Sequence, residues 1–133
     1  MGGSGMEGAP APEVRTFRDL IAWQKGIRLS LLVYRLTRRF PDEEKFGMVA
    51  QMRRSAVSIP ANIAEGYGKG RRAEYIRYLE IGRGSLFELQ TYLELVREMK
   101  WVDGEDLAAV ARLADEVDRI VSALLRSLKR RRT

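Results

Sequence analysis

The chain has 133 residues, 24 Lys and Arg, 18 Asp and Glu, and neither His nor Cys. Without Cys there is no disulfide, thiolate ligand or thiol nucleophile, and without His the commonest general base and metal ligand is missing. A carboxylate or lysine enzyme stays open, but a net charge of +6 in a chain of one-domain length points first to an anionic partner such as nucleic acid or an acidic surface.

Residues 1–13 read as a segment apart from the fold. Met1-Gly2-Gly3-Ser4-Gly5 resembles an expression-derived linker, and Glu7 to Pro12 is small and Pro-rich, as in a flexible tail. These residues hold two acids and no base, so the rest of the chain carries +8. The expected domain is residues 14–129, followed by a basic tail at 130–133. No apolar run approaches the roughly 18 residues needed to span a bilayer, and no secretory signal is visible, so a cytoplasmic protein is expected.

The remaining chain reads as four helices. The first is expected from about Asp19, a capping residue, to Arg39, where Phe40-Pro41 stops it. It has two apolar rows, Leu20, Trp23, Ile27, Leu31 and Tyr34 on one, Leu29, Val33, Leu36 and Phe40 on the other. The second is expected from about Asp42 to Tyr67. Pro41 and three acids suit its start, and Phe46, Val49, Met52, Ala56, Ile59 and Ile63 mark its buried face. Gly66, Gly68 and Gly70 end it.

The third helix is expected from about Arg72 to Lys100. Tyr75, Leu79, Gly82, Leu86, Leu89, Leu93 and Val96 alternate spacings of four and three, a sustained heptad seam. A second seam, Tyr78, Ile81, Ser85, Glu88, Tyr92, Leu95 and Met99, calls for neighbours on more than one side. The fourth helix opens on the capping sequence Asp103-Gly104-Glu105-Asp106. Leu107, Val110, Ala114, Val117, Val121, Leu124 and Leu128 line it, and Lys129 to Arg132 suit its C-terminal dipole. Four such helices with short connections predict an all-α fold, an antiparallel up-down-up-down four-helix bundle.

That topology gathers the charge. One end collects Arg15, Arg18, Lys69, Arg71, Arg72, Arg126, Lys129, Arg130, Arg131 and Arg132, ten cations against Asp19, Glu65 and Glu74, a net of +7. The opposite end has five cations against seven acids, a net of −2. A basic pole of this kind suits phosphate oxygens, and binding them releases counterions. A solvated, frayed tail is the bland reading of the four consecutive cations.

Ser58-Ile59-Pro60-Ala61-Asn62-Ile63-Ala64-Glu65-Gly66 departs from ordinary bundle sequence. Pro60 removes a helical donor and frees the carbonyl of Ala56, so a kink is expected there. Ser58, Asn62 and Glu65 share a face, as do Ser85 and Glu88 on the next helix. Folding the chain about residue 69 sets Ala56 against Gly82, and Arg53 or Arg54 within reach of Glu88. Small residues at Ala56, Gly82 and Gly84 permit close helix approach. A structural polar network is the preferred reading. An active site built on Asn62, Glu65 and Glu88 is the alternative. The sequence shows no metal-ligand cluster and no phosphate loop, and no cofactor is expected.

Four strings resemble one known family. They are F-R-D-L-I-A-W-Q-K at 17–25, V-Y-R-L-T-R-R-F-P at 33–41, S-I-P-A-N-I-A-E-G at 58–66 and G-S-L-F-E-L at 84–89. The chain resembles the bacterial four-helix-bundle proteins related to the 23S rRNA intervening-sequence protein. The resemblance implies Ser58, Pro60, Asn62, Glu65, Gly66, Gly84, Ser85 and Glu88 as the structural motif. It also implies a homo-oligomer, often a ring-like pentamer, and no enzymatic reaction. A related branch serves as accessory protein to diversity-generating retroelements, where it binds RNA and a reverse transcriptase. Gly82-Arg83 and Gln90 depart from the common pattern and make this surface more positive. The resulting expectation is a non-enzymatic protein that binds nucleic acid, with structured RNA favoured over DNA, as a homo-oligomer. The alternative is an oligomeric scaffold or accessory protein whose partner is another protein, such as a reverse transcriptase.

Overall fold

The structure, a computed structural model, describes residues 13–130. The fold is all-α. A short 3₁₀ turn at Phe17–Asp19 precedes α1 (Ile21–Thr37), then come α2 (Ala50–Gly68), α3 (Arg72–Met99) and α4 (Gly104–Arg130). Each helix packs against the next, and α4 closes the ring against α1. Paired residues establish that every neighbour is antiparallel. Gly26 meets Pro60 and Thr37 meets Arg53 between α1 and α2. Ser55 meets Glu88 and Asn62 meets Gly82 between α2 and α3. Glu80 reaches Lys129 and Gln90 reaches Asp115 between α3 and α4, and Lys25–Glu116 with Arg39–Asp106 close the ring.

The start of the first helix differs from expectation. Asp19 caps the turn ahead of α1, accepting from the backbone N–H groups of Arg15 at 2.8 Å and Thr16 at 3.1 Å, while Thr16 accepts from Arg18. The two backbone bonds hold the Asp19 carboxyl below its ordinary range. They are therefore present at neutral pH and are lost as pH falls through that lowered value. Leu20, with extended backbone, begins α1 without a side-chain cap.

The core is built from the rows the periodicity picks out. Leu29, Val33 and Leu36 of α1, the Leu79–Val96 seam of α3 and Leu107, Val117 and Val121 of α4 are buried. Each large aliphatic side chain withdrawn from water contributes about 1.5–3 kcal/mol. On α4 the buried residue is Leu125, with Leu124 only partly covered. In the other row of α1, Leu20 and Trp23 are partly buried against the core and the rest faces outward. Ile27, Leu31 and Tyr34 are exposed, and Trp23 packs edge-on against Phe17 with ring centroids 5.2 Å apart. On α3, Ile81, Leu95 and Met99 are likewise exposed.

The second segment departs most from its expected form. Asp42–Glu44 is a 3₁₀ turn and Lys45–Val49 a π-type turn, with Gly47 out of helical conformation at φ −102 and ψ −106. The break shifts the helical phase, so Phe46 is 88% exposed rather than buried, while Val49 onward keep their expected face. The helix runs through Pro60 without interruption. The Ser30 hydroxyl lies 3.1 Å from the Ala56 carbonyl that Pro60 leaves without its helical donor, and 3.1 Å from the Gly26 carbonyl. Gly26 makes room for the ring, since a Cβ there would lie 3.2 Å from Pro60 Cβ.

The α2–α3 register is displaced from the expected one by more than a turn. Gly82 faces Ile59 and Asn62 rather than Ala56, because the chain folds back beyond residue 69. Glu88 therefore accepts from Ser55 and makes no pair with Arg53 or Arg54. Arg53 instead donates to Thr37 Oγ1 at 2.9 Å and the Tyr34 carbonyl at 3.3 Å, its guanidinium 4.4 Å from the Tyr34 ring centre. Arg54 bonds Gln51.

Two sets of substitutions test this packing. Ser30→Ala should cost about 1–3 kcal/mol by leaving the Ala56 carbonyl buried without a donor, read as a lower urea midpoint at unchanged slope. A Cβ at Gly66 would lie 2.6 Å from Tyr78 Cβ, whereas one at Gly84 meets nothing within 4 Å. Gly66→Ala should thus lose about 1–3 kcal/mol and Gly84→Ala gain about 0.5–1 kcal/mol. An unchanged midpoint for Gly66→Ala would contradict so close an approach of α2 and α3.

Candidate nucleic-acid interface

The candidate surface is the end of the bundle where the N-terminal turn, the α2–α3 connection and the last turns of α4 meet. Two observations place these elements together. The Tyr67 hydroxyl, on the last turn of α2, donates to the Val14 carbonyl at 3.4 Å. Tyr67, Gly70, Arg71, Arg72, Tyr75 and Leu128 line one cleft of about 470 Å³. Gly70 makes the turn possible, with φ +75 in the left-handed region that side chains disfavour.

Arg15, Arg18, Lys69, Arg71, Arg72, Arg126, Lys129 and Arg130 are all exposed. Arg131 and Arg132 lie outside the described residues, as do residues 1–12. The guanidinium of Arg18 sits 4.6 Å from the Phe17 ring centre, and Lys69 Nζ is 5.7 Å from that of Tyr78. Lys129 is held at 2.8 Å by Glu80, an acid that linear charge counting leaves out of this end. Its reach comes from the α3–α4 register, which spacing along the chain does not reveal. Arg77 lies 3.5 Å from Glu74, one of the three acids expected here. Asp19 is engaged by backbone N–H groups.

The far end differs in kind. Arg39 pairs with Asp106 at 2.7 Å and Arg97 with Glu94 at 2.6 Å. A second cleft, about 440 Å³ between α3 and α4, is lined by both Arg97 and Arg112 and both Glu94 and Asp115. Its charges balance, whereas the Tyr67–Leu128 cleft is lined by two arginines and no acid.

The motif string organises the α2–α3 seam. Ser58 and Ser85 hydroxyls lie 2.8 Å apart, and Asn62 donates to both the carbonyl and the hydroxyl of Ser58. Gly66 lies against Tyr78, and Gly84 is exposed. Glu65 is also exposed. Glu88 faces Ser55, ten residues from Glu65 on α2, which is about 15 Å along the helix axis. The two carboxylates are thus not brought to one site. Among the described residues, no group of three or more Asp and Glu is placed to hold a metal ion. No helix among them is long and apolar enough to cross a membrane.

Sequence reasoning sets Tyr75 in the core seam and Tyr67 at the glycine-rich end of the second helix. The structure places both in the cleft, with ring centroids 5.8 Å apart and nearly perpendicular. The buried Tyr75 hydroxyl has no hydrogen-bond partner. Burial, with a smaller effect from Tyr67, pushes its pKa up to about 12, so it remains a neutral donor. Spacing carries no signal for this pair beyond its aromatic character.

The crystal structure of a protein of unknown function from the S23 ribosomal protein family of Bacteroides thetaiotaomicron is similar to this fold. It has a TM-score of 0.73 and 24% identity, covering 80% of this chain and 96% of that one. No curated protein matches the chain. The pattern of the 23S rRNA-intervening sequence protein family matches residues 18–123, which takes in all four helices but the last turns of α4. The chain belongs to the 23S rRNA-intervening sequence protein family.

Proposed function

We propose that this protein is a non-enzymatic, cytoplasmic nucleic-acid-binding bundle, with structured RNA its favoured partner, and that it works as a homo-oligomer. The observation that carries the reading is the concentration of exposed cations at the end formed by the N-terminal turn, the α2–α3 connection and α4. Arginine supplies forked donors to phosphate, and neutralised phosphates release counterions. The family's name ties it to 23S rRNA, which agrees with RNA over DNA. Repeating the pole in an oligomer multiplies individually weak interactions.

A second reading, an oligomeric scaffold or accessory protein whose partner is another protein, draws on a different surface. Ile27, Leu31 and Tyr34 on α1, with Ile81, Leu95 and Met99 on α3, leave apolar side chains in water. Contiguous exposed apolar surface of this kind supports a protein contact. Apolar burial is not screened by salt, whereas phosphate binding is.

The two surfaces therefore separate by experiment. Affinity for a folded RNA hairpin should fall linearly with salt on logarithmic axes. Neutral replacement of Lys69, Arg71, Arg72 and Lys129 to Arg132 should abolish most binding and flatten the slope by roughly 0.7–0.9 for each phosphate that is no longer neutralised. Unchanged affinity and slope would refute the phosphate role of the pole. Gel filtration should show an oligomer that persists at high salt and dissociates on Leu31→Glu. A monomer at every concentration would refute the oligomer.

A further inference from the structure

Gly84 serves no purpose visible within a single chain. It lies in the interior of α3, where glycine weakens a helix. A Cβ at that position would meet nothing within 4 Å among the described residues. Gly26, Gly66 and Gly82 differ, since each closely faces a neighbouring helix of the same bundle. Gly84 opens on the outward side of α3 instead, in line with the exposed Ile81, Glu88 and Leu95. A glycine there suits a second helix that comes close from outside.

The outward faces of α1 and α3 carry opposite charge. Helix α1 holds Lys25, Arg28 and Arg35 and no acid. Lys25 is drawn aside to Glu116 of α4, whereas Arg28 and Arg35 are exposed beside Ile27, Leu31 and Tyr34. From Gly84 to Met99, α3 holds three acids against one arginine. That arginine, Arg97, lies 2.6 Å from Glu94 and 3.9 Å from Glu98, while Glu88 is met by the neutral Ser55 hydroxyl. Pairing α1 with α1 would set arginine against arginine, and pairing α3 with α3 would set acid against acid. Pairing α1 with α3 matches charge as well as apolar surface.

The heights agree. Helices α1 and α3 occupy opposite corners of the bundle and run parallel, since each is antiparallel to α2. Their outward faces point away from each other and can both be used at once. Ser30 reaches Ala56 and Glu88 reaches Ser55, so Leu31 stands close to the height of Glu88. Gly26 meets Pro60, while Ser58 and Asn62 meet Ser85 and Gly82, so Ile27 stands close to the height of Gly84. Copies set side by side and pointing the same way bring the α1 row level with the glycine and its acid.

We infer that α1 of one copy packs on α3 of the next, with Ile27 and Leu31 seated over Gly84 and with Arg28 and Arg35 facing Glu88. This contact rests on the homo-oligomer reading and specifies the surfaces that make it. The interface joins two different faces, so each copy offers one forward and one back. Apolar burial holds the contact, and the opposed charges select its pairing.

Sedimentation velocity with the full chain tests this. Leu31→Glu spoils the first face and Gly84→Gln the second, both at exposed positions, so helical circular dichroism should be unchanged. Each variant alone should self-associate at least about tenfold more weakly than the wild-type chain. Mixed one to one, the two should form a dimer that grows no further, because the intact α3 of one meets the intact α1 of the other. Ile81→Glu replaces Gly84→Gln if that change loses helix. Wild-type association of the α3 variant, with Leu31→Glu monomeric, overturns the pairing and leaves the homo-oligomer standing. A mixture that stays monomeric at submillimolar concentration also overturns the pairing. A wild-type chain that is monomeric at every concentration overturns both.

Discussion

A proline in the middle of a bundle helix creates a debt that a neighbouring helix has to meet. Pro60 deprives the Ala56 carbonyl of its helical donor and thrusts a ring toward α1. Ser30 meets the carbonyl with its hydroxyl, and Gly26, one turn earlier on the same face of α1, clears space for the ring. Sliding α1 by one residue along α2 would undo both arrangements. The proline thereby fixes the α1–α2 register, and Thr37 falls against Arg53 as a consequence.

Register then propagates to the second interface. With α2 oriented by Pro60, its adjoining face offers Ser55, Ser58, Asn62 and Gly66 to α3, where Glu88, Ser85, Gly82 and Tyr78 receive them. A neutral bond such as Ser58–Ser85 is worth only about 1 kcal/mol in net terms, and one to a carboxylate, as at Glu88, about 1.5–3 kcal/mol. The energy of folding comes from the buried leucines, isoleucines and valines, which tolerate sliding far better than a hydrogen-bonded seam does. The polar string thus specifies alignment and the apolar seams supply stability. Alignment in turn decides which cations become neighbours. Those of the α2–α3 connection and of α4 are distant in sequence, and they share one end because the helices stop where these registers require.

How much of this is visible in the sequence depends on the range of the interaction. The Leu79–Val96 seam is a local periodicity, and it marks buried residues correctly. The carbonyl freed by Pro60 is local too and can be deduced, but the Ser30 hydroxyl that meets it cannot, because that partner sits on another helix. Phe46 misleads because a non-helical Gly47 breaks the phase, and an isolated glycine does not announce which conformation it adopts. The outward row of α1 misleads for another reason: two apolar rows on one helix do not say which faces the core, and Ile27, Leu31 and Tyr34 lie on the exposed side. The basic pole is legible because topology alone brings its elements together. Its cleft is not, because Tyr67 and Tyr75 are ordinary aromatics until the turn at Gly70 sets them beside Arg71, Arg72 and Leu128.

The exposed apolar rows and the charged end obey different physics, and they do not compete for space. The exposed rows of α1 and α3 run along the sides of the bundle, while the cations cap one end. Contact along the sides would bury apolar area and leave the end in solvent, so association and phosphate binding can occur at once. Copies joined side by side through equivalent contacts in a closed ring would all present the charged end in the same direction. Their mutual repulsion would oppose assembly at low salt, and a polyanion across the gathered ends would remove it. Binding and assembly would then be coupled through charge even though no residue serves both. Such coupling would weaken as added salt screens the ends while leaving the apolar contacts intact.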